Sequence, residues 1–106
     1  KLIVGEIPNA GDEQLRSAID SLRKRQPSSA ILLAGVDDDK VTFVAAVSDD
    51  LIARGLKAGD WVRKTAQAAG GSGGGRPQMA QAGGKDPSKL PEALETARKV
   101  AVESVR

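Results

Sequence analysis

Two short apolar runs separated by an acidic cluster constrain the fold of this chain most strongly. The run from Ala30 to Ala34 is uninterrupted, and the run from Val41 to Val47 is rich in β-branched residues. Both are too short for typical helices, and unbroken apolar strands are typical of a sheet that is covered on both faces. The segment between them, Asp37-Asp38-Asp39-Lys40, has the composition of a turn. The pattern predicts an antiparallel hairpin inside a sheet.

The rest of the chain alternates between extended and helical patterns. Leu15, Ala18, Ile19 and Leu22 recur with the period of a helix over residues 12–25. Further elements are predicted as strands over 2–7 and 76–82, a short helical turn over 48–54, and helices over 58–69 and 88–104. This order predicts an α/β fold with helices packed on a mixed β-sheet of about four to five strands. We expect residues 1–106 to form one domain. Because the chain lacks an initiator Met and opens on an extended segment, we also expect it to be a fragment of a longer polypeptide.

The residues that are missing limit the chemistry of this chain. It contains no cysteine, so it has no disulfide framework and no thiolate zinc site. It also contains no histidine, the side chain that most often acts as a general base. The acidic cluster at Asp37 lacks the glycine and glutamate spacing of a calcium-binding EF-hand loop. We therefore assign no catalytic and no metal-binding residue. The absence of cysteine fits a cytoplasmic protein, which we expect. No apolar run approaches the roughly 18 residues that span a bilayer, so we expect no membrane partner.

A glycine-rich stretch over residues 70–84 is the most informative segment for function. Glycine permits close approach of a ligand to the backbone, and successive free N–H groups can bind an anion. We predict a nucleic-acid-binding site in which glycines expose the backbone, Arg76 and Gln78 make polar contacts, and two lysines attract phosphates. The residues of this predicted site are Gly73, Gly74, Gly75, Arg76, Gln78, Lys64 and Lys85. The spacing matches neither a Walker loop nor a Rossmann fingerprint, and a plain glycine-rich connection between helix and strand remains an alternative.

Charge and aromatic content bear on the same question. Residues 1–62 hold two more acidic than basic residues, whereas residues 63–106 hold four more basic than acidic residues. This asymmetry favours a polyanionic partner, although a solvated surface remains an alternative. The basic run over 23–25 is expected to be a solvated helix end. Trp61, Phe43 and Met79 are expected in the core, so binding would depend on backbone amides, arginine and lysine.

The sequence of residues 73–84, Gly-Gly-Gly-Arg-Pro-Gln-Met-Ala-Gln-Ala-Gly-Gly, resembles the signature near the C-terminus of alanyl-tRNA synthetases. The resemblance covers nearly the whole chain and includes residues 4–10, 44–48, 56–60 and 84–90. It implies a DHHA1-type fold, related to the nucleic-acid-binding part of DHH phosphodiesterases and single-strand exonucleases. In those hydrolases the glycines are typically followed by histidine, whereas Arg76 here is similar to the synthetase branch. The absence of histidine also weighs against a DHH hydrolase.

The resemblance implies a non-catalytic domain that binds tRNA. Its partners would be the elbow of alanine tRNA and the upstream domains of the same chain, which carry out aminoacylation and editing. No cofactor is implied for this domain, since ATP, magnesium and zinc would be used elsewhere in the parent alanine–tRNA ligase. An alternative is an oligomerisation or interdomain docking module, in which the alanine-rich outer surfaces of the third and last helices pair with another copy.

Overall fold

The central feature of the fold is the hairpin that the apolar runs predict. A computed structural model describes residues 2–105. Its strands are β1 (Leu2–Glu6), β2 (Ala30–Asp37), β3 (Lys40–Val47), β4 (Ser72–Gly75) and β5 (Met79–Gly84). Its helices are α1 (Asp12–Arg25), α2 (Asp49–Ala53), α3 (Ala58–Ala68) and α4 (Leu90–Ser104), and one 3₁₀ turn covers Pro87–Lys89. The turn between β2 and β3 places Asp38 and Asp39 in the left-handed region, with φ of 50° and 62°. The predicted acidic turn is therefore confirmed.

The five strands form one mixed sheet in the order β1-β2-β3-β5-β4. β1 pairs with β2 in parallel, and Val4 lies opposite Leu32. All other pairs are antiparallel. A parallel pair requires a long crossover connection, and α1 supplies it between β1 and β2. The predicted α/β class with a mixed sheet of four to five strands is confirmed.

Helices cover both faces of the sheet, so the central strands are buried on both sides. On one face, α3 and α4 pack on a cluster that includes Leu32, Phe43 and Trp61. On the other face, α1 packs on β2 and β3 through Leu15 and Ile19. Because successive side chains of a strand point to opposite faces, one unbroken apolar run serves both clusters. Within residues 2–105, no helix is long and apolar enough to cross a membrane.

The two aromatic residues lie in the core, as predicted. Trp61 and Phe43 are both fully buried. The Trp61 indole N–H donates a hydrogen bond of 2.7 Å to the carbonyl oxygen of Ala97, which satisfies its only polar group and joins α3 to α4. Met79 is half-buried and packs against the cluster under α1. The aromatic rings are therefore not available for stacking on bases.

The glycine-rich segment differs from its prediction. Residues 72–75 form the edge strand β4 rather than a loop, and Gly83 and Gly84 belong to β5 rather than to the following loop. The strand predicted over 76–82 is wrong at its start, because Arg76 to Gln78 form the turn between β4 and β5. The physical reason is long-range pairing, because β5 pairs with β3 on one side and with β4 on the other. The backbone hydrogen bonds of this pairing hold the glycines in strands, although glycine is depleted in strands in general.

Candidate nucleic-acid interface

The predicted site is built on the β4–β5 hairpin at the edge of the sheet. Gly73 lies opposite Ala82, Gly74 opposite Gln81 and Gly75 opposite Ala80. Residues 72–78 are all exposed. The hairpin therefore brings the three predicted glycines, Arg76 and Gln78 together on one accessible edge.

The turn of this hairpin is held by the backbone of two neighbouring elements. The Pro77 carbonyl accepts a hydrogen bond of 2.9 Å from Ala58 N–H, at the start of α3. The Gln78 carbonyl accepts one of 3.0 Å from Val47 N–H, at the end of β3. These bonds fix the turn against the body of the fold. The exposed side chains of Arg76 and Gln78 thus project from a positioned backbone, which reduces the ordering cost of binding.

The three glycines differ in what the fold requires of them. A Cβ at Gly73 would lie 2.3 Å from the Ala82 Cβ, and a Cβ at Gly75 would lie 2.9 Å from Ala80. Gly75 also has a φ of +157°, which L residues rarely adopt. In contrast, a Cβ at Gly74 would have no atom within 4 Å, and no positive φ requires glycine there. Gly73 and Gly75 are thus needed for the hairpin itself, whereas Gly74 is not.

Substitution of Gly73 with alanine is expected to destabilise the hairpin. The added methyl would meet the Cα and Cβ of Ala82 and the Gln81 carbonyl, all of which belong to or adjoin the backbone and cannot move independently. Overpacking of this kind costs about 1–3 kcal/mol. Urea unfolding followed by circular dichroism would measure the loss, with Gly74→Ala as the matched control that stays within about 0.5 kcal/mol of the parent. Equal stability of both variants would contradict this assignment of roles.

Two basic residues lie beside the hairpin in positions that the sequence did not single out. Lys57 and Arg63 line a small hollow together with Gly74, Gly75 and other residues at the junction of α3 and β4. Arg63 donates a hydrogen bond of 3.0 Å to Asp60, and both side chains are about half exposed. An exposed pair of this kind contributes little to stability, so the guanidinium remains accessible to another anion. No signal in the sequence alone distinguished Arg63 from its neighbour.

The two predicted lysines do not line this hollow. Lys64 is exposed on α3 but does not line the hollow that Arg63 lines. Lys85 directly follows β5, at the opposite end of the hairpin from Arg76, where its N–H donates to the Ala69 carbonyl. Lys85 is therefore separated from Arg76 by the length of the hairpin, whereas Lys64 directly follows Arg63 on α3. Both remain on the surface of the elements that flank the hairpin.

The loop after β5 is fixed by a carboxylate cap. Asp86 accepts a hydrogen bond of 3.0 Å from the backbone N–H of Ser88 and also one from the Ser88 hydroxyl. The Ser88 hydroxyl holds the pKa of the Asp86 carboxyl below its usual value, with smaller contributions from the Ser88 N–H and Lys89. Asp86 thus caps the 3₁₀ turn Pro87–Lys89 that precedes α4. Among residues 2–105, no three acidic side chains are grouped so as to hold a metal ion.

Comparison with known proteins shows the family to which this chain belongs. The DHHA1 domain family matches residues 1–103. The chain is 55% identical over 105 residues to the alanine–tRNA ligase of Rhodopirellula baltica, and 49% identical over 104 residues to that of Pelotomaculum thermopropionicum. Each alignment covers 98% of this chain but only 11% and 12% of the relative. The chain thus spans about a tenth of the length of these relatives.

Solved structures give the same result. The C-Ala domain of Aquifex aeolicus alanyl-tRNA synthetase has a TM-score of 0.83 and 33% identity, with 94% of this chain and 89% of that chain covered. A DHH-domain member of the S1p family of ribosomal proteins shares the fold, with a TM-score of 0.63 and 22% identity. The chain therefore belongs to the DHHA1 domain family. Within that family it stands with the C-terminal domains of alanyl-tRNA synthetases, as the resemblance implied.

Proposed function

We propose that this chain is a non-catalytic tRNA-binding domain of an alanine–tRNA ligase. It would hold the elbow of alanine tRNA and support aminoacylation and editing by the upstream domains of the same polypeptide. The support is its membership in the family and its small share, 11% and 12%, of the length of full alanine–tRNA ligases. In this proposal ATP, magnesium and zinc are used by the other domains, and the whole enzyme acts in the cytoplasm.

The β4–β5 hairpin is the observation that carries the proposal. It combines an exposed glycine backbone with an arginine and a glutamine on a turn that is fixed by two backbone hydrogen bonds. Lys57 and Arg63 add positive charge on the adjacent side of the hairpin. Recognition of folded RNA relies on phosphate, ribose hydroxyl and shape contacts, which guanidinium, amide and backbone groups can make. The buried positions of Trp61 and Phe43 favour this mode over aromatic stacking.

Substitution of Arg76 with alanine is expected to weaken tRNA binding by roughly tenfold, because a charge-assisted phosphate contact contributes about 1.5 kcal/mol or more. Fluorescence anisotropy with labelled alanine tRNA at low salt would measure the affinity. Arg98→Ala is the matched control, since Arg98 is exposed on α4 and away from the hairpin. We expect the control to bind like the parent.

Two outcomes of this titration would count against the proposal. Absence of saturable binding at low salt, with a folded protein, would overturn the tRNA-binding function. Equal weakening by Arg76→Ala and Arg98→Ala would leave a binding function but remove the hairpin as its location.

A second candidate function is self-association or docking to another domain. The exposed residues of α3 include the charged Asp60, Arg63 and Lys64. These charges oppose the alternative in which an alanine-rich outer surface of this helix pairs with another copy. A different surface is mostly apolar: exposed Leu2 and Val102 line a hollow together with other apolar residues and Arg54. Analytical ultracentrifugation without RNA discriminates the two functions. A monomer at all concentrations would count against self-association through this surface.

A further inference from the structure

The apolar hollow beside Leu2 and Val102 is a surface that the rest of the fold leaves open. It has a volume of about 340 Å³ and lies between the starts of β1 and β2, the connection of α2 to α3, and the last turn of α4. Within residues 2–105, the large apolar side chains that are exposed are Leu2, at 39%, and Val102, at 69%. Single exposed apolar residues are common on protein surfaces. Their convergence on one hollow is instead typical of a surface that another element covers.

Neither the packing of α4 nor its helix propensity accounts for Val102. The inward side of α4 is formed by residues at helical spacing, namely Leu90, Ala93, Leu94, Ala97 and Ala101. Val102 directly follows Ala101 and therefore lies about 100° around the helix from it. Its neighbours Arg98, Lys99 and Glu103 are exposed and charged. Because valine is a weaker helix former than these residue types, an exposed valine at this position indicates a contact outside residues 2–105.

The apolar hollow lies where the polypeptide enters the fold. Leu2 is the first residue of β1, and it is the residue of this strand that lines the hollow, so β1 runs away from the hollow toward Glu6. Leu2 pairs with Ala30, which belongs to the core cluster on the side of α3 and α4. Any segment that leads into β1 therefore arrives beside the hollow. The two alanine–tRNA ligases that match 98% of this chain have 11% and 12% of their length in the match, so most of their polypeptide lies outside it.

The size of the apolar hollow favours a tethered segment over a second copy of the chain. A stable complex of separate proteins buries roughly 800 Å² on each partner. A hollow of about 340 Å³ instead receives only a few side chains. A segment of the same polypeptide needs less contact, because the tether keeps it at an effective concentration in the millimolar range. The lining is apolar except for Arg54, so the matching side chains are aliphatic or aromatic.

We propose that the segment immediately upstream of β1 in the parent ligase docks into the apolar hollow and covers Leu2 and Val102 with apolar side chains. The proposal rests on the proposed function only in taking this chain as the C-terminal part of a longer ligase. β1 and β4 are the opposite edges of the five-stranded sheet, so the hollow and the β4–β5 hairpin are on the order of 20 Å apart. The docked segment thus fixes the orientation of this domain on the upstream polypeptide and leaves the hairpin accessible.

Hydrogen–deuterium exchange of the full-length ligase, without tRNA, tests the docking. Val102→Glu places a charge in the contact, and amides of the upstream segment should exchange roughly tenfold faster, because loss of one buried apolar side chain shifts a local opening equilibrium by about this factor. Val102→Leu keeps an apolar side chain and should retain the protection of the parent. Lys99→Glu is the matched control, since Lys99 is exposed on the same helix and does not line the hollow. Peptides from β2 and β3 report on the fold itself, and Val102→Ser repeats the test without a charge if Val102→Glu disturbs them.

Three outcomes would overturn the docking. Equal exchange of all upstream peptides in the parent and in the Val102 variants would show that the segment does not occupy the hollow. Equal acceleration by Lys99→Glu and Val102→Glu would assign the effect to charge on α4 and not to the hollow. Protection that depends on protein concentration, together with a dimer in sedimentation velocity that Val102→Glu dissociates, would identify a second copy as the occupant. None of these measurements involves RNA, so the docking and the tRNA-binding function can fail independently.

Discussion

Replacement of Trp61 by alanine is expected to lower the free energy of unfolding by about 3–5 kcal/mol, the usual range for removal of a buried tryptophan. The side chain is fully buried in the cluster between α3, α4 and the sheet, so the substitution leaves a large cavity there. Natural domains are stable by about 5–15 kcal/mol, and this loss would consume a large part of that margin. We expect the melting temperature to fall on the order of 15–30 °C. Urea and thermal unfolding, followed by circular dichroism, would measure both quantities.

The Trp61→Phe variant separates the ring from its hydrogen bond. Phenylalanine keeps most of the apolar volume but cannot donate to the Ala97 carbonyl, which accepts the indole N–H at 2.7 Å. We expect a smaller loss of about 1–2 kcal/mol. A loss below 1 kcal/mol in the alanine variant would show that Trp61 is not central to the core. It would also remove the argument that aromatic stacking plays no part in RNA binding.

The parts of the fold that could be predicted are those whose signals are local. The apolar residues of α1 recur at helical spacing within one continuous segment. The strands β2 and β3 are neighbours in the sequence, joined by a short acidic turn. β4 carried no such signal, because Ser-Gly-Gly-Gly has neither alternation nor β-branched residues. Its strand conformation comes from pairing with β5, which in turn pairs with the distant β3. Tertiary partners therefore decided a conformation that local propensity opposed.

The residues of the candidate site could be selected from the sequence, but their arrangement could not. The glycines, Arg76 and Gln78 stood out because of their composition and because of the family resemblance. The sequence could not reveal that Ala82 requires Gly73 while nothing requires Gly74, since that distinction depends on which side of the hairpin each residue faces. Likewise, Arg63 and Lys64 are adjacent basic residues of one helix, and only the packing of α3 shows that Arg63 lines the hollow beside β4.

Position at the sheet edge explains how one short hairpin can serve both stability and binding. Its inner side packs into the core through Ala80 and Ala82, and its outer side and turn stay exposed. Because β4 is an edge strand, it pairs with β5 on one side only. The backbone N–H and C=O groups on its other side are free to contact a ligand without breaking the pairing to β5. The fold thus supplies a fixed backbone surface, and Lys57, Arg63 and Arg76 supply positive charge beside it.

Salt dependence is expected to be the largest effect on binding. If Lys57, Arg63 and Arg76 each neutralise one phosphate, the affinity for alanine tRNA should fall roughly 40-fold between about 50 and 200 mM salt, because each contact releases condensed counterions. A plot of log affinity against log salt concentration, from anisotropy titrations, gives the slope. Arg76→Ala should reduce the magnitude of this slope by about one unit.

The slope distinguishes a phosphate contact from a base contact at each position. Gly74→Ala removes no charge, so we expect weaker binding with the slope of the parent. Arg98→Ala, on α4, should change neither affinity nor slope if the interface is confined to the hairpin and its flanking arginines. If Arg76→Ala weakened binding at an unchanged slope, its guanidinium would contact a base edge or a ribose rather than a phosphate. A slope near zero for the parent would exclude an electrostatic interface on this hairpin altogether.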